Sequence, residues 1–552
     1  MPSPTLTRVR QAYARIEAVD RPEVWIGLRP QAEAEQEARA IDARVAAGEH
    51  LPLAGKLFAA KGNIDVAGLP TTAACPAYAY TPWEDAPVVA RLRTAGALAL
   101  GTTNLDQFAT GLVGTRSPHG AVRNALDPTR ISGGSSSGSA VAVALCIVDF
   151  ALGTDTAGSG RVPAAFNGIV GLKPTRGLVP TTGVVPACAS LDCVTVFART
   201  LPEAEQALAF MASPSGRELP ALPQRAPGPW RIAVPPTAQL GELDEGWAEA
   251  YETAVERLAA AGAEIRHLDL TPFTDAAAML YEGAFVAERY TAVGSFIDKL
   301  IAEGDTGLDP TVAGIITRAR DIPAHQLYAD QDRLAALRTR ALTQLGDADA
   351  LLLPTAPGHP TLAEVAADPL GANARLGRFT NSTNLFDLAA VAVPAGLTPA
   401  GLPFGVMLIG PAFTDERLAR LARLLQPRLR LAVVGAHLSG QPLNPQLLSL
   451  GAEWERTTAT APVYRLHALS TTPPKPGLVH VGEGGAAVET EVWRLSAEGL
   501  GQLLAALPRP MVLGQVELAD GTHAPGFLCE PDALPGTTDI TAYGGWRAYL
   551  NH

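Results

Sequence analysis

Cysteine is scarce in this chain of 552 residues, which contains five. They are Cys75, Cys146, Cys188, Cys193 and Cys529. The number is odd and the spacings match no zinc-binding pattern, so the sequence offers neither a disulfide framework nor a metal site. We therefore expect a reducing compartment, the cytoplasm, with ordinary buried thiols at Cys188 and Cys193.

Excess positive charge and long apolar runs are missing too. Lys and Arg total 43 against 55 Asp and Glu, a net charge of −12 that argues against nucleic-acid binding. The longest apolar run, AVAVALCIVDFALG, is too short to cross a bilayer and contains Asp149. Residues 1–25 have no apolar core, so we expect neither a signal peptide nor a membrane span. The composition, 47% hydrophobic and 18% charged, is that of a globular protein.

Glycine and serine are concentrated in residues 131–160, ISGGSSSGSAVAVALCIVDFALGTDTAGSG. Glycines around Ser135 and Ser159 let backbone N–H groups approach a ligand atom closely. Such N–H groups can hold a negatively charged oxygen, and the predicted oxyanion hole comprises Thr156, Ala157, Gly158 and Ser159. A flexible linker is the alternative, but the flanking strand-like and helix-like runs disfavour it. The segment predicts the nucleophile loop of a hydrolase.

Three segments, GKLFAAKGNIDVAG, ISGGSSSGSA and GTDTAGSGRVPAAFNGIVGLKPTRG, resemble the signature elements of the amidase signature family. The resemblance spans roughly residues 20–425 and implies an α/β fold, a mixed β-sheet core covered by helices. It implies a Ser–cis-Ser–Lys triad in which Ser159 is the nucleophile, Ser135 the bridging serine after a cis peptide bond, and Lys61 the base. Gly62 stands where the family usually has aspartate, so we expect altered local hydrogen bonding rather than lost chemistry.

The chemistry of this triad depends on the protonation of Lys61. A lysine with its usual pKa of about 10.4 is protonated at neutral pH and is a poor base. Lys61 lies in the apolar run LFAAKGNI, which predicts burial, and burial lowers a lysine pKa. Neutral Lys61 could then take a proton from Ser135 while Ser135 takes one from Ser159. A lone lysine is usually a solvated surface charge, but the neighbouring serine motif favours the base.

The chain is predicted to contain two domains. Helical periodicity at 30–48 and 246–264, with short strand-like runs between, indicates α/β layers. The amphipathic run TDERLARLARLLQ closes a first domain at residues 1–427. The strand LRLAVVGAHLSG begins a small α+β domain at 429–552. This domain resembles γ-glutamylcyclotransferase-like folds. Because it follows an amidase-like domain, it also resembles the C-terminal domain of allophanate hydrolases.

His437 and Glu530 are the polar candidates in this second domain. Each lies at the end of an apolar strand, in VVGAHLSG and GFLCEP. The resemblance to allophanate hydrolase C-terminal domains implies that this domain speeds the decarboxylation of an unstable dicarboxylate. His437 is therefore predicted to bind that dicarboxylate or to transfer a proton to it. The alternative is a domain that only packs against its neighbour or aids dimerisation.

Tyr281 and Arg289 are eight residues apart in MLYEGAFVAERY and would share a face of one helix. An arginine on an inward face can bind a carboxylate as a fork. A surface helix with an aromatic core residue is the alternative. Together with DQFATGLVGTRSPHGAVRNALDP, the segment resembles the allophanate hydrolase branch of the family, whose matching tyrosine and arginine contact the substrate carboxylate. Ala157 and Gly160 also fit this branch.

That branch implies hydrolysis of allophanate (urea-1-carboxylate) to ammonia and carbon dioxide, and we expect no cofactor and no metal. It implies the use of urea or triazine breakdown products as nitrogen, with a urea carboxylase supplying the substrate. Two alternatives stay open: another amidase of the family, such as the glutaminase subunit of a tRNA amidotransferase, or a non-catalytic assembly protein. A homodimer is compatible with the sequence, which does not set the oligomeric state.

Overall fold

The computed structural model describes residues 4–213, 217, 228–304, 307–426 and 428–552. It divides into two compact units, Met1–Leu425 and Gln426–His552. The domain limits predicted from the sequence, 1–427 and 429–552, stay a prediction, because residue 427 lies outside the described residues.

The first unit alternates helices and short strands. Its α-helices are α1 (Pro4–Val19), α2 (Gln31–Ala46), α3 (Pro87–Thr94), α4 (Ser137–Ala144), α5 (Val162–Phe166), α6 (Leu201–Met211), α7 (Trp247–Ala260), α8 (Thr271–Glu282), α9 (Ala287–Glu303), α10 (Pro310–Arg318), α11 (Ala324–Leu345), α12 (Leu362–Ala367), α13 (Gly371–Leu376), α14 (Asn381–Leu385) and α15 (Asp415–Ala422). Its strands are β1 (Trp25–Leu28), β2 (Leu57–Lys61), β3 (Leu98–Thr103), β4 (Phe150–Asp155), β5 (Val170–Lys173), β6 (Cys193–Ala198), β7 (Arg231–Val234), β8 (Glu264–His267), β9 (Ala350–Pro354), β10 (Leu388–Leu397) and β11 (Pro403–Pro411).

These strands form one mixed sheet in the order β1-β3-β2-β4-β6-β5-β10-β11-β9-β7-β8. Strand β2 runs parallel to β3 and β4, whereas β6, β5, β10 and β11 pair antiparallel. Helices α4, α5, α6 and α15 pack on the sheet. The predicted fold class, a mixed sheet covered by helices, is confirmed.

Two buried strands bring the polar motifs together. All residues of β2 (LFAAK) and β4 (FALGTD) are buried, as expected of central parallel strands that are covered on both faces. Phe58 and Phe150 stack between them with ring centroids 5.4 Å apart. Lys61 is the last residue of β2 and Asp155 is the last residue of β4. Because the two strands are parallel, both residues lie at the same edge of the sheet, where α/β proteins usually bind their ligands.

The second unit has its own sheets and core. Its strands are β12 (Arg428–Val433), β13 (Glu453–Ala459), β14 (Tyr464–Leu469), β15 (Lys475–His480), β16 (Glu489–Ser496), β17 (Met511–Glu517), β18 (His523–Cys529) and β19 (Thr538–Asp539), and its helices are α16 (Asn444–Ser449), α17 (Ala497–Ala505) and α18 (Trp546–Leu550). Five strands pair in the order β13-β16-β12-β18-β17 and three in the order β15-β14-β19. Leu431, Tyr464 and Trp493 lie in its hydrophobic core. Across the part of the chain that the structure describes, no helix is both long enough and apolar enough to cross a bilayer.

Candidate active site

Lys61 is the last residue of β2 and is completely buried. Its Nζ donates hydrogen bonds to Ser135 Oγ and to Thr154 Oγ1, both at 2.7 Å. Thr154 lies on the neighbouring strand β4, so strand pairing fixes both ends of this second contact. The amine is therefore held by two hydroxyl groups from different elements.

Burial lowers the pKa of Lys61 to about 7. The cause is desolvation of the ammonium, which outweighs the opposing attraction of the buried carboxylates of Asp106, Asp192 and Asp155. The positive charge of Arg289 lowers the pKa further. Near neutral pH, a substantial fraction of Lys61 is a neutral amine that can accept a proton.

Gly62, where the resemblance implies aspartate, lies in a crowded position. A Cβ at this position would lie 2.8 Å from Ile26 Cδ1 and 3.0 Å from the carbonyl oxygen of Thr103. The Gly62 N–H donates to that same carbonyl at 2.9 Å, which continues the pairing of β2 with β3 beyond Lys61. Backbone bonds therefore hold Lys61 at this point without a side chain at position 62.

Ser135 links the lysine to the second serine. The peptide bond between Gly134 and Ser135 is cis, and Ser135 Oγ donates to Ser159 Oγ at 3.0 Å. The carbonyl oxygen of Ser135 accepts a hydrogen bond from the Asp106 N–H at 3.1 Å. A Cβ at Gly134 would lie 2.1 Å from Asp106 Oδ2, so glycine is required for this approach. Lys61, Ser135 and Ser159 thus form one chain of hydrogen bonds.

A buried ion pair shapes the loop that carries Ser159. The Asp155 carboxylate accepts hydrogen bonds from the Gly158 N–H at 2.8 Å and the Gly160 N–H at 3.0 Å. It also pairs with Arg161, whose Nε lies 2.8 Å from Asp155 Oδ2, and both side chains are fully buried. Removing one partner of such a pair leaves an uncompensated buried charge, which costs about 3–5 kcal/mol. The pair therefore fixes the backbone on both sides of Ser159.

This loop requires a correction to the predicted oxyanion hole. The Gly158 N–H is directed to the Asp155 carboxylate and is not available to an oxyanion. The N–H groups of Thr156, Ala157 and Ser159 have no acceptor among the residues that the structure describes. Three of the four predicted donors are therefore free to bind a ligand.

Tyr281 and Arg289 meet, but not on one helix as the spacing predicted. Tyr281 lies on α8, which ends at Glu282, and Arg289 lies on α9. The chain turns at Gly283, where the Asp330 carboxylate accepts the N–H of Ala284 at 2.7 Å and replaces a helical hydrogen bond. Arg289 Nη2 nevertheless donates to the Tyr281 hydroxyl at 3.1 Å.

Arg289 keeps one edge of its guanidinium group free. The residue is buried, and its Nη1 donates to Thr110 Oγ1 at 3.0 Å and to the Ala109 carbonyl at 3.4 Å. Its Nε has no hydrogen-bond partner in the described part of the chain. In a guanidinium group the Nε–H and one of the two Nη2–H groups lie on the same edge, which is the geometry that binds a carboxylate through two parallel bonds.

His437 lines a cavity of about 230 Å³ in the second unit. Its ring stacks on Phe527, with centroids 4.7 Å apart, and Nε2 lies 3.0 Å from Gln446 Oε1. Burial lowers its pKa, and the nearby charge of Lys475, which also lines the cavity, lowers it further. The lowered pKa favours the neutral imidazole form of His437.

Glu530 is not brought together with His437. Its Oε1 pairs with Arg509 Nη2 at 3.1 Å, and the Arg509 side chain is largely exposed. Glu530 is not among the residues that line the cavity, whereas Lys475 and Gln446 are. The sequence reasoning missed these two, since neither lies in a glycine-flanked motif.

In the first unit, the sequence reasoning also missed Thr154 and the Asp155–Arg161 pair. All three flank the nucleophile loop in the motif GTDTAGSGR. An Asp and an Arg six residues apart around a glycine loop could have suggested the ion pair. Thr154 gives no signal before its strand is paired with that of Lys61.

Comparison with known proteins agrees with this arrangement. Residues 8–419 match the amidase family, and residues 429–551 match the allophanate hydrolase C-terminal domain. The chain therefore belongs to the amidase family. With the second domain as well, it has the domain pair of allophanate hydrolases, and the predicted family is confirmed.

Three known proteins illustrate the match. The urea amidolyase of Lachancea kluyveri is 43% identical over 96% of this chain, but the chain spans only 31% of that protein. The structure of Kluyveromyces lactis allophanate hydrolase is 39% identical with a TM-score of 0.71, covering 100% of this chain and 97% of that one. A glutamyl-tRNA(Gln) amidotransferase subunit from Haloarcula marismortui is 35% identical over 68% of this chain and 95% of its own length.

Proposed function

We propose that this protein hydrolyses allophanate to ammonia and carbon dioxide. The observation that carries the proposal is the hydrogen-bonded chain Lys61–Ser135–Ser159. Arg289, whose Nε has no partner in the described part of the chain, lies near enough for its positive charge to lower the pKa of Lys61. The chain provides a nucleophile for an amide carbonyl, and the arginine provides a partner for a carboxylate. Allophanate carries both groups, and the likeness to an allophanate hydrolase over the full chain supports this substrate.

Ser159 is the proposed nucleophile and Lys61 the proposed base. When Lys61 is neutral, Ser135 donates its proton to Nζ and accepts the proton of Ser159 as Oγ attacks the terminal amide carbonyl. The heavy atoms already lie at 2.7 and 3.0 Å, so only the two hydroxyl hydrogens and the amine, whose lone pair must face Ser135, have to rotate. The same chain returns a proton to the departing ammonia, and water then releases the acyl group from Ser159.

The N–H groups of Thr156, Ala157 and Ser159 are the proposed oxyanion donors. Their orientation is fixed before the reaction because the Asp155 carboxylate, paired with Arg161, accepts hydrogen bonds from the Gly158 and Gly160 N–H groups of the same loop. Removal of one such donor typically costs about 3–4 kcal/mol of transition-state stabilisation. The loop backbone is therefore as important to the proposed reaction as the serine that it carries.

Arg289 and Tyr281 are proposed to bind the substrate carboxylate. The free edge of Arg289 can make two bonds to it, and the Tyr281 hydroxyl, which accepts from Arg289, can donate its own hydrogen. Charge-assisted bonds of this kind are worth about 1.5–3 kcal/mol each. A carboxylate would thus be selected over a neutral group.

The product of the first step is a nitrogen that carries two carboxylate groups. It loses one carbon dioxide to leave carbamate, which then breaks down to the second ammonia and a second carbon dioxide. We propose that the cavity around His437 binds this dianion and speeds the first loss of carbon dioxide. Lys475 offers the positive charge, and neutral His437 offers a group that exchanges a proton with the nitrogen. Upstream, a urea carboxylase would supply allophanate, from urea or from triazine breakdown, as the likeness to urea amidolyases suggests.

The test is ammonia release by the purified chain from allophanate, compared with glutamine, malonamide and benzamide. We expect allophanate to have by far the highest kcat/KM. Glutamine as the preferred substrate would instead support an amidotransferase-like amidase, which the likeness of the first unit to the Haloarcula marismortui protein also allows. No hydrolysis of any of the four would support a non-catalytic protein.

A further inference from the structure

Asn381 carries a buried carbonyl oxygen that is left without a partner. The side chain is 5% exposed, and its Nδ2 donates to the Ala277 carbonyl at 3.2 Å. Because only the amide nitrogen can donate there, this bond fixes which side-chain atom is Oδ1. In the described part of the chain, Oδ1 accepts no hydrogen bond. An unpaired buried polar group costs about 1–3 kcal/mol, and a ligand that donates a hydrogen bond to it would remove this cost.

The oxygen borders a cavity of about 440 Å³ in the first unit. Asn381 and Gly377 form part of one wall, and Ala277 and Tyr281 of α8 form part of another. A Cβ at Gly377 would lie 2.6 Å from Asn381 Nδ2, so glycine makes room for the amide. Ala277 and Tyr281 are one helical turn apart, which places Asn381 beside the tyrosine that contacts Arg289.

The preceding residue, Thr380, contacts the nucleophile loop. A Cβ at Gly158 would lie 2.4 Å from Thr380 Oγ1, so the two residues are in close contact. Asn381 is therefore the next residue after a contact of the Ser159 loop, and it bonds to α8 one turn from Tyr281, which contacts Arg289. In allophanate, the group between the attacked carbonyl and the carboxylate is the central N–H.

We propose that Asn381 Oδ1 accepts a hydrogen bond from the central N–H of the substrate and so selects a carboxylated urea over its carbon analogue. The inference rests on the proposed function. It adds a specificity residue to the catalytic and carboxylate-binding residues. Malonamate differs from allophanate at this one position, where CH2 replaces N–H, and it keeps the terminal amide and the carboxylate. A site with an acceptor here discriminates against malonamate, because the buried oxygen is then left unpaired.

The experiment compares kcat/KM for allophanate and for malonamate in the wild type and in Asn381→Leu and Asn381→Ser. We expect the ratio of the two constants to fall about tenfold or more in Asn381→Leu, because an interaction made by one substrate only is removed. Loss of the bond to Ala277, or partial unfolding, affects both substrates and leaves the ratio unchanged. In a Ser159→Ala background, the ratio of the two dissociation constants gives a second measure of the preference, and neither compound has to turn over.

Thr274→Ala is the matched control, since Thr274 lines the same cavity and its hydroxyl donates to the Thr271 carbonyl. Its ratio should equal that of the wild type. Equal losses for allophanate and malonamate in both Asn381 variants would overturn the inference while leaving the proposed function intact. A wild type that does not hydrolyse allophanate would instead overturn the proposed function, and this inference with it.

Discussion

The polar site of the first unit and the cavity of the second unit hold their ionisable groups differently. Lys61 is buried within a continuous chain of hydrogen bonds that reaches Ser159. The His437 ring makes one hydrogen bond, to Gln446, within the described residues, and stacks on Phe527. Burial lowers the pKa of both groups. Removing any member of a hydrogen-bonded network disrupts the function of the whole network, whereas removing a single contact loses only the energy of that contact. Mutations in the first site should therefore reduce activity far more than mutations in the second.

The largest effect is expected for the triad. Ser159→Ala should abolish ammonia release from allophanate, and Ser135→Ala and Lys61→Ala should each lower kcat by several orders of magnitude. The double variant Lys61→Ala/Ser135→Ala should be little worse than either single one, because the groups act as a unit. Steady-state ammonia assays on the folded variants measure this.

Ser137→Ala is the control for the triad. Its hydroxyl donates to the Asn104 carbonyl and belongs to the same serine-rich segment, but it does not contact the chain from Lys61 to Ser159. It should retain most of the activity. Near-normal turnover in a folded Ser159→Ala variant, or strictly additive losses, would contradict the assignment.

The next largest effect is expected at Arg289. Arg289→Ala should lower kcat/KM for allophanate about a hundredfold or more, since two charge-assisted bonds are lost. A neutral amide should lose far less, because it has no partner for the guanidinium. Tyr281→Phe should show the same selectivity with a smaller loss. Rates with allophanate and malonamide measure the difference.

Arg320→Ala is the matched control for Arg289, because Arg320 is half exposed and pairs with Asp298 at the surface. It should change neither rate by more than about twofold, in line with the small energy of exposed ion pairs. If Arg289→Ala reduced both substrates equally, Arg289 would be structural and the carboxylate would bind elsewhere.

The smallest effect is expected in the second unit. His437→Gln should leave the first ammonia from allophanate at the wild-type rate and delay the second, because the hydrolysis site is unchanged. Gln446→Ala, which removes the ring's hydrogen-bond partner, should give a shorter delay. Ammonia and carbon dioxide counted per allophanate at early times reveal the lag. Two ammonia molecules at the full wild-type rate in His437→Gln would leave this cavity without a part in the reaction.

Sequence patterns identified the sheet and the family because these depend on local periodicity and on contiguous motifs. Lys61, Ser135 and Ser159 lie in three such motifs, and the structure brings them within hydrogen-bond distance. Their catalytic roles stay predictions. Gly158 was assigned as an oxyanion donor because a glycine loop does not reveal that Asp155 turns inward to accept its N–H.

Other features depend on contacts between distant segments. Spacing alone placed Tyr281 and Arg289 on one helix, whereas the chain turns at Gly283 because Asp330, 46 residues away from Ala284, accepts the next N–H. Asn381 gives no local signal, since its side-chain partner Ala277 lies 104 residues away in the sequence. Glu530 follows an apolar strand as predicted, but pairs with Arg509 at the surface.

The central claim is that neutral Lys61 activates Ser159 through Ser135, and the pH dependence of kcat/KM for allophanate tests it most directly. The pKa of Lys61 is lowered to about 7, so the base is protonated and inactive below this pH and neutral above it. We predict that kcat/KM rises with pH to a plateau, with its midpoint near pH 7. The Thr154 hydroxyl accepts from Nζ and so favours the ammonium form, and its removal in Thr154→Val should move the midpoint to lower pH. Thr195→Val, at a buried threonine whose Oγ1 has no partner in the described chain, should not move it. A midpoint near pH 7 that persists in Lys61→Ala, or a profile that is flat across neutral pH in the wild type, would contradict the account.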